Sequence, residues 1–124
     1  MEYDFSVEQK DHYLHVKGWG ELNAAAVRQL LVDAYQACVE RNVGSLLLEM
    51  QLTGTNLGMG EVFSVINERS HQGSKLTRIA YVERNTDLPR QFAEFAELVA
   101  KNRFVNVRLF DDVADAQQWL EGTQ

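Results

Sequence analysis

The residues from Thr53 to Gly60 are the stretch whose types and spacing most invite chemistry. Glycines stand at positions 54, 58 and 60, between the apolar run Leu46-Leu47-Leu48 and a pattern of helical period. A loop that leads from a strand end into a helix start exposes N–H groups at the positive end of the helix dipole, and these attract anions. The loop Arg84-Asn85-Thr86 follows a second apolar strand pattern. In open α/β sheets, ligands sit beyond the carboxyl ends of parallel strands, so both loops can face one crevice. Thr53, Thr55, Asn56, Gly58 and Arg84 are therefore the candidate ligand- or partner-binding residues. Arg84 would bring a fixed positive charge for a phosphate or carboxylate. The stretch matches neither a Walker loop nor a dinucleotide fingerprint, and no cofactor is expected. The plainer reading is a connecting turn whose glycines satisfy local φ angles.

Other chemistries find less support. His12 and His15 stand three apart on an extended pattern, where they point to opposite faces and cannot share an ion. His71 lies far along the chain, and no metal site is expected. There is no Gly-x-Ser-x-Gly elbow, and the adjacent Ser70-His71 is not a triad geometry. Glu49 and Glu61 flank the Gly-rich loop as a conceivable carboxylate pair, with ordinary surface carboxylates as the plainer reading. No catalytic residues are assigned, and an enzyme is not expected. Arg69, His71, Lys75, Arg78 and Arg84 make a mildly basic stretch that would suit an acidic partner, or simply solvated charge. No aromatic residues interleave those charges as in stacking platforms, and nucleic acid is not expected.

Composition sets the frame for these candidates. The chain has 124 residues, 45% of them hydrophobic and 24% charged, with a formal net charge of −6. That length suits one domain, residues 1–124, able to bury a core without metal or disulfide. The acidic balance argues against coating a phosphate backbone. Uninterrupted apolar runs reach four residues, as in Ile79–Val82, against the roughly 20 that a spanning helix needs. The start Met1-Glu2-Tyr3-Asp4 is acidic and lacks an apolar core, so no secretory signal is expected. Cys38 is the single cysteine and reads as a small buried apolar residue in a reducing, cytoplasmic setting.

The elements that must position these residues follow from periodicity. Tyr3 to Val7 alternates as a half-buried strand, and His12 to Trp19 follows a short polar turn as its hairpin partner. Asn23 is a good helix cap, with Leu22 and Val27 placed as a hydrophobic staple. Val27, Leu30, Leu31, Ala34 and Cys38 mark the first helix, which Asn42-Val43-Gly44 stops. Ser45 to Met50 reads as a strand covered on both faces. Met59, Val62, Phe63 and Ile66 mark a second helix ending near Gly73, and Leu76 to Val82 a further strand. Thr86 or Asp87 would cap a third helix, with Pro89 in its first turn and Leu88, Phe92, Phe95, Ala96 and Val99 on its buried stripe. Glu97 and Lys101 form an i, i+4 pair there. Phe104 to Phe110 is the last strand, and Asp112 caps a short helix carrying Val113, Ala116, Trp119 and Leu120. The aromatic residues Tyr13, Trp19, Phe92, Phe95 and Phe104 read mostly as core packing.

The order is β-β-α-β-α-β-α-β-α, an α/β fold with a mixed, mostly parallel sheet and an N-terminal antiparallel hairpin. The hairpin ending in Val16-Lys17-Gly18-Trp19-Gly20, the Leu46-Leu47-Leu48 strand before a Gly-rich loop, Lys75-Leu76-Thr77-Arg78-Ile79-Ala80, and the tail Val107-Arg108-Leu109-Phe110-Asp111-Asp112 with Ala116 and Trp119-Leu120 carry a resemblance over the whole chain. They resemble the STAS domain of anti-sigma-factor antagonists and, more closely, the SpoIIAA-like family of small bacterial proteins. The resemblance implies a regulatory module that binds a protein partner. In the antagonists a partner kinase phosphorylates a serine at the start of the second helix, in a pattern like Asp-Ser-Ser-Gly-Leu. The matching stretch here reads Thr55-Asn56-Leu57-Gly58-Met59, so the glycine and the apolar residue are kept and the serine is replaced by Asn56 or Leu57. The serine switch is therefore not carried over. The expected function is a non-enzymatic protein-interaction module, with self-association plausible. The alternative is a carrier or sensor of a small anionic or lipid-like molecule.

Overall fold

A computed structural model describes residues 3–122, so Met1 and Glu2 of the acidic start lie outside the described residues. Strands β1 (Tyr3–Gln9) and β2 (Leu14–Glu21) form the expected hairpin. Helix α1 (Ala24–Arg41), strand β3 (Ser45–Thr53), helix α2 (Met59–Gly73), strand β4 (Arg78–Glu83), helix α3 (Arg90–Lys101), strand β5 (Val107–Phe110) and helix α4 (Val113–Leu120) follow. The sheet order is β1-β2-β3-β4-β5, parallel throughout except for β1 against β2.

Because each crossover steps to the next strand in the same direction, right-handedness puts α1, α2 and α3 on one face. On that face Leu14, Val16, Leu46, Leu48, Met50, Leu52, Ile79 and Tyr81 pack with Leu30, Ala34, Val65 and Ala93 of the helices. Helix α4 takes the other face, where Ala116 and Leu120 cover Tyr13, Leu47, Ala80 and Val82. The continuous burial of Leu46 to Met50 follows from this double cover. Helix α1 lies very close to β2 at Gly18, where a Cβ would come 2.6 Å from Leu30 Cδ2. Cys38 is buried in α1, and burial pushes its thiol up to about 11, as an inert core residue requires.

Local capping explains most boundaries. Asn23 Oδ1 accepts from Ala26 N–H at 2.8 Å, and Leu22 and Val27 are both buried beside it. Asp112 accepts from Asp115 N–H in the same way. Helix α1 ends with Asn42 at φ 55, where Val43 N–H reaches the Cys38 carbonyl and Asn42 N–H that of Val39.

Two boundaries differ from expectation. Neither Thr86 nor Asp87 caps α3: Pro89 occupies the cap position without a side-chain bond. Asp87 is committed elsewhere, accepting from Gly54 N–H across the sheet end. The last strand starts at Val107, and Phe104 is neither strand nor core, being 89% exposed. Phe104 takes φ 66 in the turn that ends α3, where Phe104 N–H bonds the Lys101 carbonyl and Val105 N–H that of Ala100. Burial of Val105 dictates that turn, and Phe104 is left in the left-handed region that glycine favours.

Both sheet edges are blunted by a carboxylate. On β5, Glu97 Oε2 accepts from Leu109 N–H at 2.8 Å while also pairing with Lys101 at 3.4 Å. On β1, Asp4 Oδ1 accepts from Phe5 N–H at 2.8 Å. Replacing Phe104 by Gly removes left-handed strain and no buried contact, so F104G raises stability by about 0.5–1 kcal/mol in urea denaturation.

Candidate functional site

Strands β3 and β4 end side by side, and the loops that follow them are tied together by Asn85. Its buried side chain donates through Nδ2 to the Gly54 carbonyl at 2.9 Å and accepts through Oδ1 from Asp87 N–H at 2.9 Å. Asp87 returns the link by accepting from Gly54 N–H at 3.1 Å. Gly54 has φ 99, which lets its two backbone groups face this partner. Thr53 is anchored on the other side, its hydroxyl donating to the Gly20 carbonyl at 3.2 Å and its own carbonyl accepting from Leu22 N–H.

Beyond this anchor the loop turns outward. Thr55, Asn56 and Gly58 are exposed at the start of α2. Gly58 N–H donates to Glu61 Oε1 at 2.9 Å, so the carboxylate in the first turn of α2 already answers the positive helix end. Thr53, Thr55, Asn56 and Gly58 therefore share one loop. Arg84 leaves the opposite face of the sheet end, and its Nε pairs with Glu49 Oε2 at 3.3 Å. Asn85 and Asp87, rather than Arg84, are the residues through which the two loops meet.

Glu49 departs from the surface carboxylate expected, being only 5% exposed. It lies opposite Lys17 of β2 and Val82 of β4, on the face that α4 leaves partly open. There it joins a chain of charge: His15 Nε2 lies 2.8 Å from Glu49 Oε1, and Arg84 from Glu49 Oε2. Glu61 sits on α2 and forms no pair with it; the sequence signal for Glu49 was a carboxylate inside the run Leu46–Met50. Tyr13, His15, Lys17 and Trp19 share this face, as alternation along β2 requires. The basic stretch is dispersed among local partners: Arg69 bonds Gln72 and Glu68, and Arg78 donates to the Trp119 carbonyl and lies over its ring.

A second, half-buried carboxyl faces the helical side. Tyr81 hydroxyl donates to Glu83 Oε1 at 2.5 Å, and Asn85 N–H to Glu83 Oε2 at 3.1 Å. Burial raises the Glu83 carboxyl above its ordinary range, partly offset by these two donors. The same burial, with Glu83 beside it, pushes the Tyr81 hydroxyl upward. Among the described residues, no group of three His, Cys, Asp or Glu side chains is placed to hold a metal ion. Nor is any helix among them long and apolar enough to cross a membrane.

Comparison with known proteins agrees with this architecture. The SpoIIAA-like family model matches residues 13–121, and the chain belongs to that family. An anti-sigma factor antagonist from Mycobacterium paratuberculosis superposes with a TM-score of 0.61 at 19% identity, covering 96% of this chain and 94% of that one. An uncharacterized protein with a SpoIIAA-like fold from Shewanella loihica PV-4 superposes with a TM-score of 0.56 at 16% identity, covering 96% and 93%. No curated protein matches the sequence.

Two outcomes test this geometry. Asn85→Ala removes the tie between the loops, costs about 1–2 kcal/mol, and speeds hydrogen exchange at the Gly54 and Asp87 amides by NMR. Glu83 binds its proton more tightly folded than unfolded, so its contribution is full below the ordinary value of 4.5 and lost as pH rises through the raised one. The stability difference between Glu83→Gln and the parent therefore shifts toward the variant as pH rises above the ordinary carboxylate range, read from urea midpoints.

Proposed function

We propose that this protein is a non-enzymatic regulatory module of the bacterial cytoplasm that binds a protein partner through the β3–α2 loop and the outer face of α2. The observation that carries this reading is the contrast within one loop. Its base at Thr53 and Gly54 is pinned by Gly20, Asn85 and Asp87, while Thr55, Asn56 and Gly58 stand exposed. A rigid base with outward side chains lowers the ordering cost of association. Phe63, 41% exposed on α2 with Arg103 over its ring, adds an aromatic anchor next to the loop. Likeness to an anti-sigma factor antagonist supports a protein partner. With Asn56 or Leu57 where the antagonists carry their serine, recognition is not switched by phosphorylation at that position.

A second reading, a carrier or sensor of a small molecule, draws support from an apolar cavity beneath α2. It favours a lipid-like over an anionic ligand, because the Arg84 guanidinium is paired with Glu49.

The test compares tagged parent protein with Asn56→Arg and Phe63→Glu, purified from the native host and read by native mass spectrometry. One polypeptide held in fixed stoichiometry by the parent is lost at least about tenfold in both folded variants. A polypeptide retained equally by parent and variants overturns the proposed surface. A parent that binds no polypeptide other than itself overturns the hetero-partner.

A further inference from the structure

Trp19 departs from the core position that its type suggests, being 39% exposed. Gly18 before it turns to the helical face, where Leu30 of α1 closes over the strand. Alternation therefore sends the indole to the other face. Helix α4 packs on that face, but over β3, β4 and β5. Beside it lies a shallow, open groove framed by Asp4 and Ser6 of β1, Lys17, Trp19 and Glu21 of β2, and Gln51 of β3.

Sheet register sets the spacing of these groups. Asp4 and Gln51 stand on the two sides of Trp19, and Lys17 and Glu21 lie two residues before and after it. With strands about 4.8 Å apart and a two-residue step of about 7 Å, each of these four neighbours is rooted within about 7 Å of Trp19. The polar side chains are also uncommitted. Among the described residues, Ser6, Lys17, Glu21 and Gln51 have no hydrogen-bond or ion-pair partner, in contrast to His15, Glu49 and Arg84 on the same face.

A lone exposed aromatic residue is ordinary on a protein surface. One ringed by unpaired donors and acceptors has the composition of a ligand site, an apolar platform with a few polar groups that fix orientation. Charges of both signs, Lys17 against Asp4 and Glu21, give no net attraction for a strongly ionic guest. Hydroxyls answer all of them, since a hydroxyl accepts from Lys17 or Gln51 and donates to Asp4 or Glu21. A sugar ring joins such hydroxyls to a flat C–H face that stacks on an indole.

We propose that this groove binds a neutral saccharide, one ring stacked on Trp19 and its hydroxyls shared among Asp4, Lys17, Glu21 and Gln51. The strand from Lys17 to Glu21 spans about 13 Å, more than one ring covers, so a short oligosaccharide fills the site better than a monosaccharide. The site lies across the sheet from α2 and is independent of the partner surface at Asn56 and Phe63.

The probes are maltotriose, cellotriose and glucose, each titrated into the intact protein and followed by the Trp19 indole N–H and the backbone amides in NMR. The expected result is saturable binding of at least one trisaccharide, tighter than glucose, with shifts at Lys17, Trp19 and Gln51. Trp19→Ala lowers affinity at least about tenfold, and Trp19→Phe restores part of it. Gln51→Ala, which changes an exposed side chain, lowers affinity severalfold and stands in if Trp19→Ala does not fold. Either trisaccharide supports the site. Saturable binding unchanged in Trp19→Ala and Gln51→Ala overturns the groove. Glucose 6-phosphate bound more tightly than glucose, and released by salt, overturns the neutral guest. Absence of saturable binding by both trisaccharides overturns the proposed ligand class, and a polypeptide partner then lost on Trp19→Ala assigns the face to protein instead.

Discussion

A single constraint of handedness organises this molecule. Four parallel strands laid down in sequence order, each joined to the next by a right-handed crossover, leave α1, α2 and α3 no choice but the same face. Three helices then share a surface only five strands wide. The outer two seat themselves on the sheet, and the middle one is braced between them. The opposite face receives only α4, a helix of eight residues, which covers Leu47, Ala80 and Val82 and stops short of β1 and β2. The two distinctive features of the interior both follow: a gap under the middle helix, and a charged chain at the border of the half-covered face.

That charged chain marks how the sheet manages its exposed side. Ionised groups removed from water need partners of opposite sign with good geometry. Glu49 has a partner on each oxygen, the His15 imidazole from the neighbouring strand on one side and the Arg84 guanidinium from the strand end on the other. Arg84 remains nearly half exposed, so the pair keeps contact with solvent and escapes the full desolvation cost of a buried bridge. Glu83, one strand further on and facing the helices, is held by neutral donors, the Tyr81 hydroxyl and the Asn85 N–H. Two carboxyls near the same sheet end thus meet opposite environments because strand alternation sends them to opposite faces.

Much of this architecture was legible in the residues. Alternation from Tyr3 to Val7, the Leu22–Asn23–Val27 entry to α1 and the Asp112 cap are local patterns, and local hydrogen bonds realise them. The unbroken run at Leu46 announced a strand covered twice, and it is. What escaped is non-local. Asp87 stands where a cap belongs, but a tertiary bond to Gly54 outbids the local one. Phe104 has the chemistry of a core strand, yet the turn that buries Val105 leaves it outside. His15, Glu49 and Arg84 are separated by more than thirty residues at each step, and only sheet register brings them together. The loop containing Thr53, Thr55, Asn56 and Gly58 was visible from its glycines, whereas the role of Asn85 as its anchor needed the adjacency of β3 and β4. Nor does any pattern in α2 encode how far it stands from the sheet; its short list of apolar residues is the nearest hint.

The carboxylates at the two margins of the sheet bear on how large the object can grow. An open sheet is a polymerisation template whose growing ends are its outermost strands, each with free amides ready to recruit another chain. Asp4 and Glu97 stand at those ends, each occupying an edge amide with a group that cannot itself donate when ionised. Each of these two side chains, neither of them in the core, takes up one outward amide of an edge strand, at the margins where strand addition would have to begin.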